Sequence, residues 1–100
     1  MTRREGAFIG GRTEKRLLVV STDFVEDLGY WIEQNRVAAS RLIRLVLEVE
    51  REPFTGIGKP EPLKHHLRGH WSRRLTGEHR ILYTVDEKMI EFVSARFHYP

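Results

Sequence analysis

Apolar residues recur with a helical period in the first half of the chain, and this spacing limits the folds that the chain can adopt. A first helix is predicted after Ser21, which can cap it. Its inward positions are Phe24, Leu28, Trp31 and Ile32. A second helix is predicted over residues 36–51. Its inward positions are Ala39, Leu42, Ile43, Val46 and Val49. Each helix therefore has one apolar stripe, which must be buried against another layer of structure.

The segments that flank these helices have the composition of strands. Leu17 to Val20 is a short continuous apolar run, which is typical of a buried strand. A long loop, interrupted by prolines and glycines, is predicted from Pro53 to Pro62. Strands are then expected around Trp71 to Leu75, over His79 to Val85 and over Met89 to Tyr99. The order β-α-α-β-β-β predicts an α+β domain, with two helices packed on a four-stranded, antiparallel-rich sheet.

The length of 100 residues argues for a single domain, which we expect to cover residues 17–100. Residues 1–16 are polar, rich in glycine and without a hydrophobic period, and we expect them to form a disordered arm. The chain lacks a signal-peptide pattern and an apolar run long enough to cross a bilayer, so we expect a cytoplasmic protein without membrane contact.

Metal sites find little support in the sequence. The chain has no cysteine, which excludes disulfides and thiolate ligands. His66 and His70 stand four residues apart, a spacing that can bind a metal from one helical face, but no HExxH pattern accompanies them. We therefore expect neither a metal nor another cofactor.

Positive charge is concentrated in the second half of the chain. The net charge is only +3, but residues 59–80 carry six Lys or Arg side chains against two acidic ones. A basic face of this kind suggests a nucleic-acid backbone or an acidic protein as partner. Charge alone is equally compatible with a solvated face that has no partner.

A single carboxylate, Glu61, stands between two prolines inside this basic stretch. If the last two strands form a hairpin about residues 86–88, Arg80 at the start of one lies near His98 at the end of the other. The loop that carries Glu61 can reach the same end of the sheet. RNA cleavage by its own 2′-hydroxyl needs a base, a cation for the charge on phosphorus, and an acid for the leaving 5′-oxygen. These three side chains match those needs without a metal.

Structural explanations compete at each of these positions. Glu61 would also pair with Lys64 or with Arg80 as an ordinary surface ion pair. His98 would also suit a half-buried position in a strand. Arg80 would also bind a phosphate without taking part in chemistry.

Four motifs resemble those of a known toxin family. "GKPEPLKH", "WSRR", "EHR" and a final "HY", in this order, resemble the YoeB toxin type of the RelE superfamily, which are bacterial toxin–antitoxin mRNA interferases. The likeness covers about Leu17 to Tyr99 and is strongest from Pro53 onward. It implies the fold derived above, cleavage of mRNA in the ribosomal A site, and neutralisation by a small antitoxin whose tail wraps the toxin. Homodimers occur among such proteins.

The resemblance also implies roles for individual residues. Glu61 of "KPEP" resembles the general base, Arg80 of "EHR" the residue that stabilises the transition state, and His98 of "FHY" the general acid. Lys64 and Arg74 resemble supporting cations, and Tyr99 resembles a residue that positions the nucleotide. Arg73 resembles a basic residue that either contacts ribosomal RNA or pairs structurally.

Two other functions remain open at this stage. One is a ParE-like toxin that poisons DNA gyrase on the same fold, although Glu61 and the final "HY" argue against it. The other is a non-catalytic RNA-binding module, for which the basic face alone would suffice.

Overall fold

Five strands and two helices make up residues 15–96, the part of the chain that the computed structural model describes. The strands are β1 (Leu17–Val20), β2 (Glu61–Pro62), β3 (His70–Arg74), β4 (Arg80–Val85) and β5 (Met89–Ser94). The helices are α1 (Thr22–Gln34) and α2 (Arg36–Arg51), and a short 3₁₀ turn covers His65–Leu67. The strand order in the sheet is β1-β5-β4-β3-β2. Strand β1 runs parallel to β5, and the other neighbouring strands are antiparallel.

The predicted α+β architecture is confirmed, with five strands in the sheet rather than four. The additional strand is β2, which lies in the segment predicted to be a loop. Glu61 pairs there with Ser72, and Pro62 pairs with Trp71. A strand of two residues has no hydrophobic period, and its proline argues against pairing. The sequence pattern could therefore not reveal β2, whose existence depends on contacts with β3.

Side-chain caps set the starts of both helices, at Ser21 as the sequence predicts and at Asn35. Ser21 caps α1, because its Oγ accepts a hydrogen bond from the backbone N–H of Phe24 at 3.1 Å. Asn35 ends α1 and caps α2, and its Oδ1 accepts from the N–H of Ala38 at 3.1 Å. The predicted bounds of α2, residues 36–51, are confirmed. No helix within residues 15–96 is long and apolar enough to cross a membrane.

The apolar stripes of both helices pack on one face of the sheet and form the core. Its buried residues include Phe24, Trp31, Ala38, Ala39, Leu42, Leu45, Val49, Ile81, Tyr83, Ile90 and Phe92. Two positions predicted to face inward do not, since Ile32 and Ile43 are 45% and 47% exposed. Leu45, which the prediction omitted, is fully buried instead. Ile32 and Ile43 each directly follow a buried residue. A step of one residue turns the side chain about 100° around the helix, which here turns it away from the core.

The prediction that β1 is a buried strand is wrong. Its bounds are as expected, but Leu17, Leu18 and Val20 are 68%, 39% and 49% exposed. In the described sheet β1 is an edge strand, which pairs with β5 alone. A short apolar run indicates a strand but cannot distinguish a central position from an edge.

Contacts at the start of the described chain change the boundary of the predicted arm. Lys15 forms an ion pair of 3.5 Å with Glu50, and Arg16 Nε donates to the backbone oxygen of Asp86 at 2.6 Å. These two residues of the predicted arm are therefore part of the folded domain. Residues 1–14 of the arm lie outside the described residues.

The hairpin predicted about residues 86–88 is confirmed. Strands β4 and β5 pair antiparallel from Val85 opposite Ile90 to Leu82 opposite Ser94, with an irregularity in register between Leu82 and Tyr83. Strand β5 was expected to reach residue 99 but ends at Ser94. The strand ends there because Ala95 bonds to α1: its N–H donates to Asp27 Oδ2 and its oxygen accepts from Trp31 Nε1, both at 2.8 Å.

Candidate active site on the open face of the sheet

Strand pairing brings Glu61 and Arg80 together on the face of the sheet that lies away from the helices, here called the open face. Trp71 and Tyr83 pair across β3 and β4 and pack on the helix side. Because side chains alternate along a strand, Ser72 and Arg80 lie on the open face. Glu61 is the register partner of Ser72 on β2. The sheet thus places Ser72 and Arg80, which are 11 and 19 positions from Glu61 in the sequence, in one row with it.

One ion pair connects two of the three predicted catalytic side chains. Arg80 Nη1 lies 3.0 Å from Glu61 Oε1 and 3.3 Å from the hydroxyl oxygen of Ser72. The Arg80 side chain is 23% exposed and the Glu61 side chain 60% exposed, so the pair lies at the protein surface. The structure thus contains the pairing of Glu61 with Arg80, one of the structural explanations that the sequence left open. Surface ion pairs contribute about 0–1 kcal/mol to stability, so this contact adds little to the stability of the fold.

Ser72 is a member of the site that the sequence did not reveal. Its side chain is fully buried, and its hydroxyl lies within hydrogen-bond distance of Arg80. The only local signal was its alternation with Trp71 and Arg73 in "WSRR". The contact itself requires β2, β3 and β4 to lie side by side.

The predicted supporting cations lie at the margins of the same region. Arg74 is exposed and stands directly opposite Arg80 in the β3–β4 pair. Lys64 is exposed and precedes the 3₁₀ turn, three residues after Glu61. Their roles as supporting cations stay predictions. Within residues 15–96 no group of three or more potential ligands is placed to hold a metal ion.

Arg73 occupies a structural position, so the RNA contact predicted as one of its two alternatives is corrected in favour of the other, structural pairing. Strand alternation turns it toward the helices, where its side chain is fully buried. Its Nε donates to the hydroxyl of Tyr83 at 3.1 Å, and that hydroxyl donates to the oxygen of Pro53 at 2.8 Å. Burial raises the pKa of Tyr83, with Arg73 acting in the opposite direction, so the phenol keeps the proton that it donates.

The third predicted catalytic residue, His98, and Tyr99 lie outside the described residues. The register nevertheless supports one step of their prediction, because the end of β5 lies beside the start of β4, where Arg80 stands. Ala95 and Arg96 continue from that end, and the guanidinium of Arg96 lies 3.5 Å from the ring centroid of Tyr30. The placement of the two terminal side chains stays a prediction.

Comparisons with known proteins identify the family. A family model described as "YoeB-like toxin of bacterial type II toxin-antitoxin system" matches residues 20–99. Toxin YoeB of Escherichia coli is 42% identical over 82 residues, which are 82% of this chain and 98% of that toxin. Toxin RelK of Mycobacterium tuberculosis is 46% identical over 77 residues, which are 77% of this chain and 91% of that one.

Solved structures agree with this result. A YoeB/ParE toxin from Agrobacterium tumefaciens superposes with a TM-score of 0.78 at 38% identity, over 83% of this chain and 99% of that one. The toxin in a YoeB–YefM complex from Staphylococcus aureus gives a TM-score of 0.74 at 36% identity, over 85% and 99% of the two chains. YafQ from E. coli, at 16% identity and a TM-score of 0.66, shares the fold alone. The chain therefore belongs to the YoeB family of toxins in bacterial type II toxin–antitoxin systems.

Proposed function

We propose that this toxin is an endoribonuclease that cleaves mRNA on the ribosome and thereby inhibits translation. The observation that carries the proposal is the contact of Glu61 with Arg80 on the open face, near exposed basic side chains. Basic side chains suit the phosphate backbone of RNA. A carboxylate at the same place would repel phosphate, so its presence favours a role in proton transfer.

Glu61 is proposed as the general base. Among the described contacts, its hydrogen bond to Arg80 uses Oε1, which leaves Oε2 for the proton of an RNA 2′-hydroxyl. The 2′-oxygen then attacks the adjacent phosphorus. Because the nucleophile belongs to the RNA, a 2′-deoxy nucleotide at the cleavage site is expected to resist cleavage.

Arg80 is proposed to stabilise the negative charge that develops on the phosphoryl oxygens. Its hydrogen bonds to described residues both use Nη1, so Nε and Nη2 can donate to the phosphate. Lys64 and Arg74 are proposed as supporting cations around the same group. Together these side chains would supply the positive charge that a catalytic metal brings to other nucleases, and the proposed reaction is therefore metal-independent.

His98 is proposed as the general acid and Tyr99 as the residue that positions the nucleotide. As the bond from phosphorus to the 5′-oxygen breaks, His98 would donate a proton to that oxygen. The upstream fragment then ends in a 2′,3′-cyclic phosphate, or in the 3′-phosphate formed from it by hydrolysis. The downstream fragment begins with a 5′-hydroxyl.

A small antitoxin and the bacterial ribosome are the proposed partners, in the cytoplasm. The YoeB of a solved YoeB–YefM complex is 36% identical to this chain, so we infer that this toxin also binds a cognate antitoxin. The family resemblance implies that the tail of this antitoxin wraps the toxin. A YoeB dimer structure from Staphylococcus aureus, at 35% identity, favours a homodimer as a further assembly. Gyrase poisoning is kept as the second candidate function because one similar structure is named a YoeB/ParE toxin.

Rates of mRNA cleavage on purified ribosomes, with both fragment ends mapped, test the proposal. Glu61→Ala, Arg80→Ala and His98→Gln are each expected to lower the cleavage rate by about 10² or more. The matched controls are Glu87→Ala and Arg44→Ala, which remove an exposed acid at the far end of β4 and an exposed arginine on α2. Both controls are expected to cleave like the wild type.

Two outcomes would contradict the mechanism. Near wild-type cleavage by all three folded variants would remove these residues from the chemistry. A 5′-phosphate on the downstream fragment would identify water as the nucleophile. Toxicity that persists in all three variants, together with inhibited DNA supercoiling, would favour gyrase poisoning instead.

A further inference from the structure

Arg73 is the largest fully buried side chain among residues 15–96, and backbone oxygens surround its charge. None of the ion pairs within these residues includes it. Its Nη1 donates to Ile57 O at 3.1 Å, and its Nη2 donates to Thr55 O at 2.8 Å and to Glu52 O. A buried charge is costly unless such bonds satisfy it. The guanidinium and the segment from residue 52 to residue 58, here called the 52–58 loop, therefore hold each other in place.

Two glycines let this loop approach the arginine closely. A Cβ at Gly56 would lie 3.3 Å from Arg73 Nη1, and a Cβ at Gly58 would lie 3.2 Å from the Cβ of Arg73. Both glycines also have positive φ angles, +117° and +83°, which L side chains rarely adopt. The loop is thus shaped around the guanidinium.

The same loop leads directly to Glu61. Gly58 O accepts a hydrogen bond from the N–H of Arg74 at 2.6 Å, and beyond β2 the N–H of Leu63 donates to His70 O at 2.9 Å. Strand β2 has only two residues between these anchors, and so short a strand has little register specificity of its own. The placement of Glu61 therefore depends on the anchor at each side.

We propose that Arg73 is a positioning residue, which holds the 52–58 loop so that Glu61 stands beside Arg80. This inference rests on the proposed function, in which Glu61 is the general base. The planar guanidinium has donors in fixed directions and bonds to Tyr83 and three loop oxygens at once. A lysine would keep the charge but offers its donors from a single point. The shape of the group, rather than its charge alone, sets the loop.

Amide hydrogen exchange tests the structural part without any cleavage assay. In Arg73→Lys and Tyr83→Phe, the amides of Leu63 and Arg74 are expected to exchange about 10-fold faster, because the loop opens locally. The control Ile90→Val trims a fully buried side chain on β5 and should leave both amides protected. Equal exchange at these amides in all three variants would overturn the proposal. Tyr83→Phe, which loses only a hydroxyl, keeps the test decisive if Arg73→Lys fails to fold.

Cleavage on the ribosome tests the positioning role. Tyr83→Phe is expected to lower the turnover at saturating ribosome about 10-fold without changing the half-saturating concentration, since the acid–base geometry alone is disturbed. In a Glu61→Ala background the same change should alter the rate less than about two-fold, because both act through one group. If Tyr83→Phe lowers the cleavage rate by the same factor in both backgrounds, the proposal is overturned. A wild-type rate for Glu61→Ala alone would overturn the proposed function and, with it, the role of Arg73 in cleavage. The amide exchange rates would still report independently on whether Arg73 holds the loop.

Discussion

At the scale of single residues, Asp86 stabilises the β4–β5 turn in its ionised form. Its Oδ1 accepts hydrogen bonds from the N–H groups of Lys88 at 2.7 Å and Met89 at 2.9 Å. These two bonds, helped by the nearby charges of Arg16 and Lys88, hold the pKa of Asp86 below its ordinary value of 3.8. The folded protein therefore binds the proton more weakly than the unfolded chain does.

The acid stability of the protein should depend on this residue. A lowered pKa contributes stability that is present above pH 3.8 and is lost as pH falls through the folded-state pKa. Asp86→Asn keeps an acceptor oxygen but does not titrate, so we expect its melting temperature to fall less steeply below pH 4 than that of the wild type. Melting curves of both proteins between pH 7 and pH 2 measure this difference. Parallel pH profiles would show that the turn does not depend on the carboxylate charge.

At the scale of elements, α1 holds the chain that leads out of β5. Asp27 and Trp31 bond to the N–H and the oxygen of Ala95, both at 2.8 Å, and Tyr30 lies against the guanidinium of Arg96. These contacts join one turn of α1 to the residues just before the proposed acid, His98. The helix therefore has two roles, since it covers the core and it directs the end of the described chain.

Release of this connection is expected to lower cleavage without disturbing Glu61. Asp27→Ala and Trp31→Phe each remove a hydrogen bond to Ala95, and an unsatisfied buried group costs about 1–3 kcal/mol. We expect faster exchange at the Ala95 amide in Asp27→Ala, and cleavage lowered about 10-fold in both variants because proton transfer requires close placement. Val25→Ala, on an exposed position of the same helix, is the control. Wild-type cleavage by both variants would contradict a link between α1 and the acid.

At the scale of the whole molecule, the folded domain begins next to Lys15 and Arg16. Deletion of residues 1–15 removes the ion pair between Lys15 and Glu50. The Lys15 side chain is 43% exposed in this pair. Such a pair is worth about 0–1 kcal/mol, so we expect the truncated protein to fold, to lose no more than this in unfolding free energy, and to stay toxic. Urea unfolding measures the unfolding free energy, and induced expression measures the toxicity.

Extending the deletion through Arg16 also removes its hydrogen bond to the backbone oxygen of Asp86 and should cost more stability. A large loss from the shorter deletion would show that the arm packs on the domain.

Most elements were predictable because their causes are local in the chain. Ser21 and Asn35 lie next to the helices that they cap, and the hydrophobic period identified α1, α2 and the β4–β5 hairpin. Which side of each helix faces the sheet was less certain. Ile43 and Leu45 are both apolar, and their burial depends on how α2 rotates against the strands, a property of the packed layers.

The sequence alone also identified Glu61 as a candidate, because an acid inside a basic stretch is chemically unusual. It identified Arg80 because the predicted hairpin brings this residue near His98. The sequence offered the pairing of Glu61 with Arg80 only as one alternative, beside Lys64. The structure decides between them, since the 3.0 Å contact requires β2 to pair with β3 and β3 with β4, and this pairing depends on residues far apart in the chain. Arg73 shows the same distinction. The sequence left it open between a contact with RNA and a structural pairing, and strand alternation and the 52–58 loop decide for the second by burying it. Local chemistry determined which side chains could act, while long-range pairing determined which of them meet, because a strand obtains its register and its neighbours only from other strands.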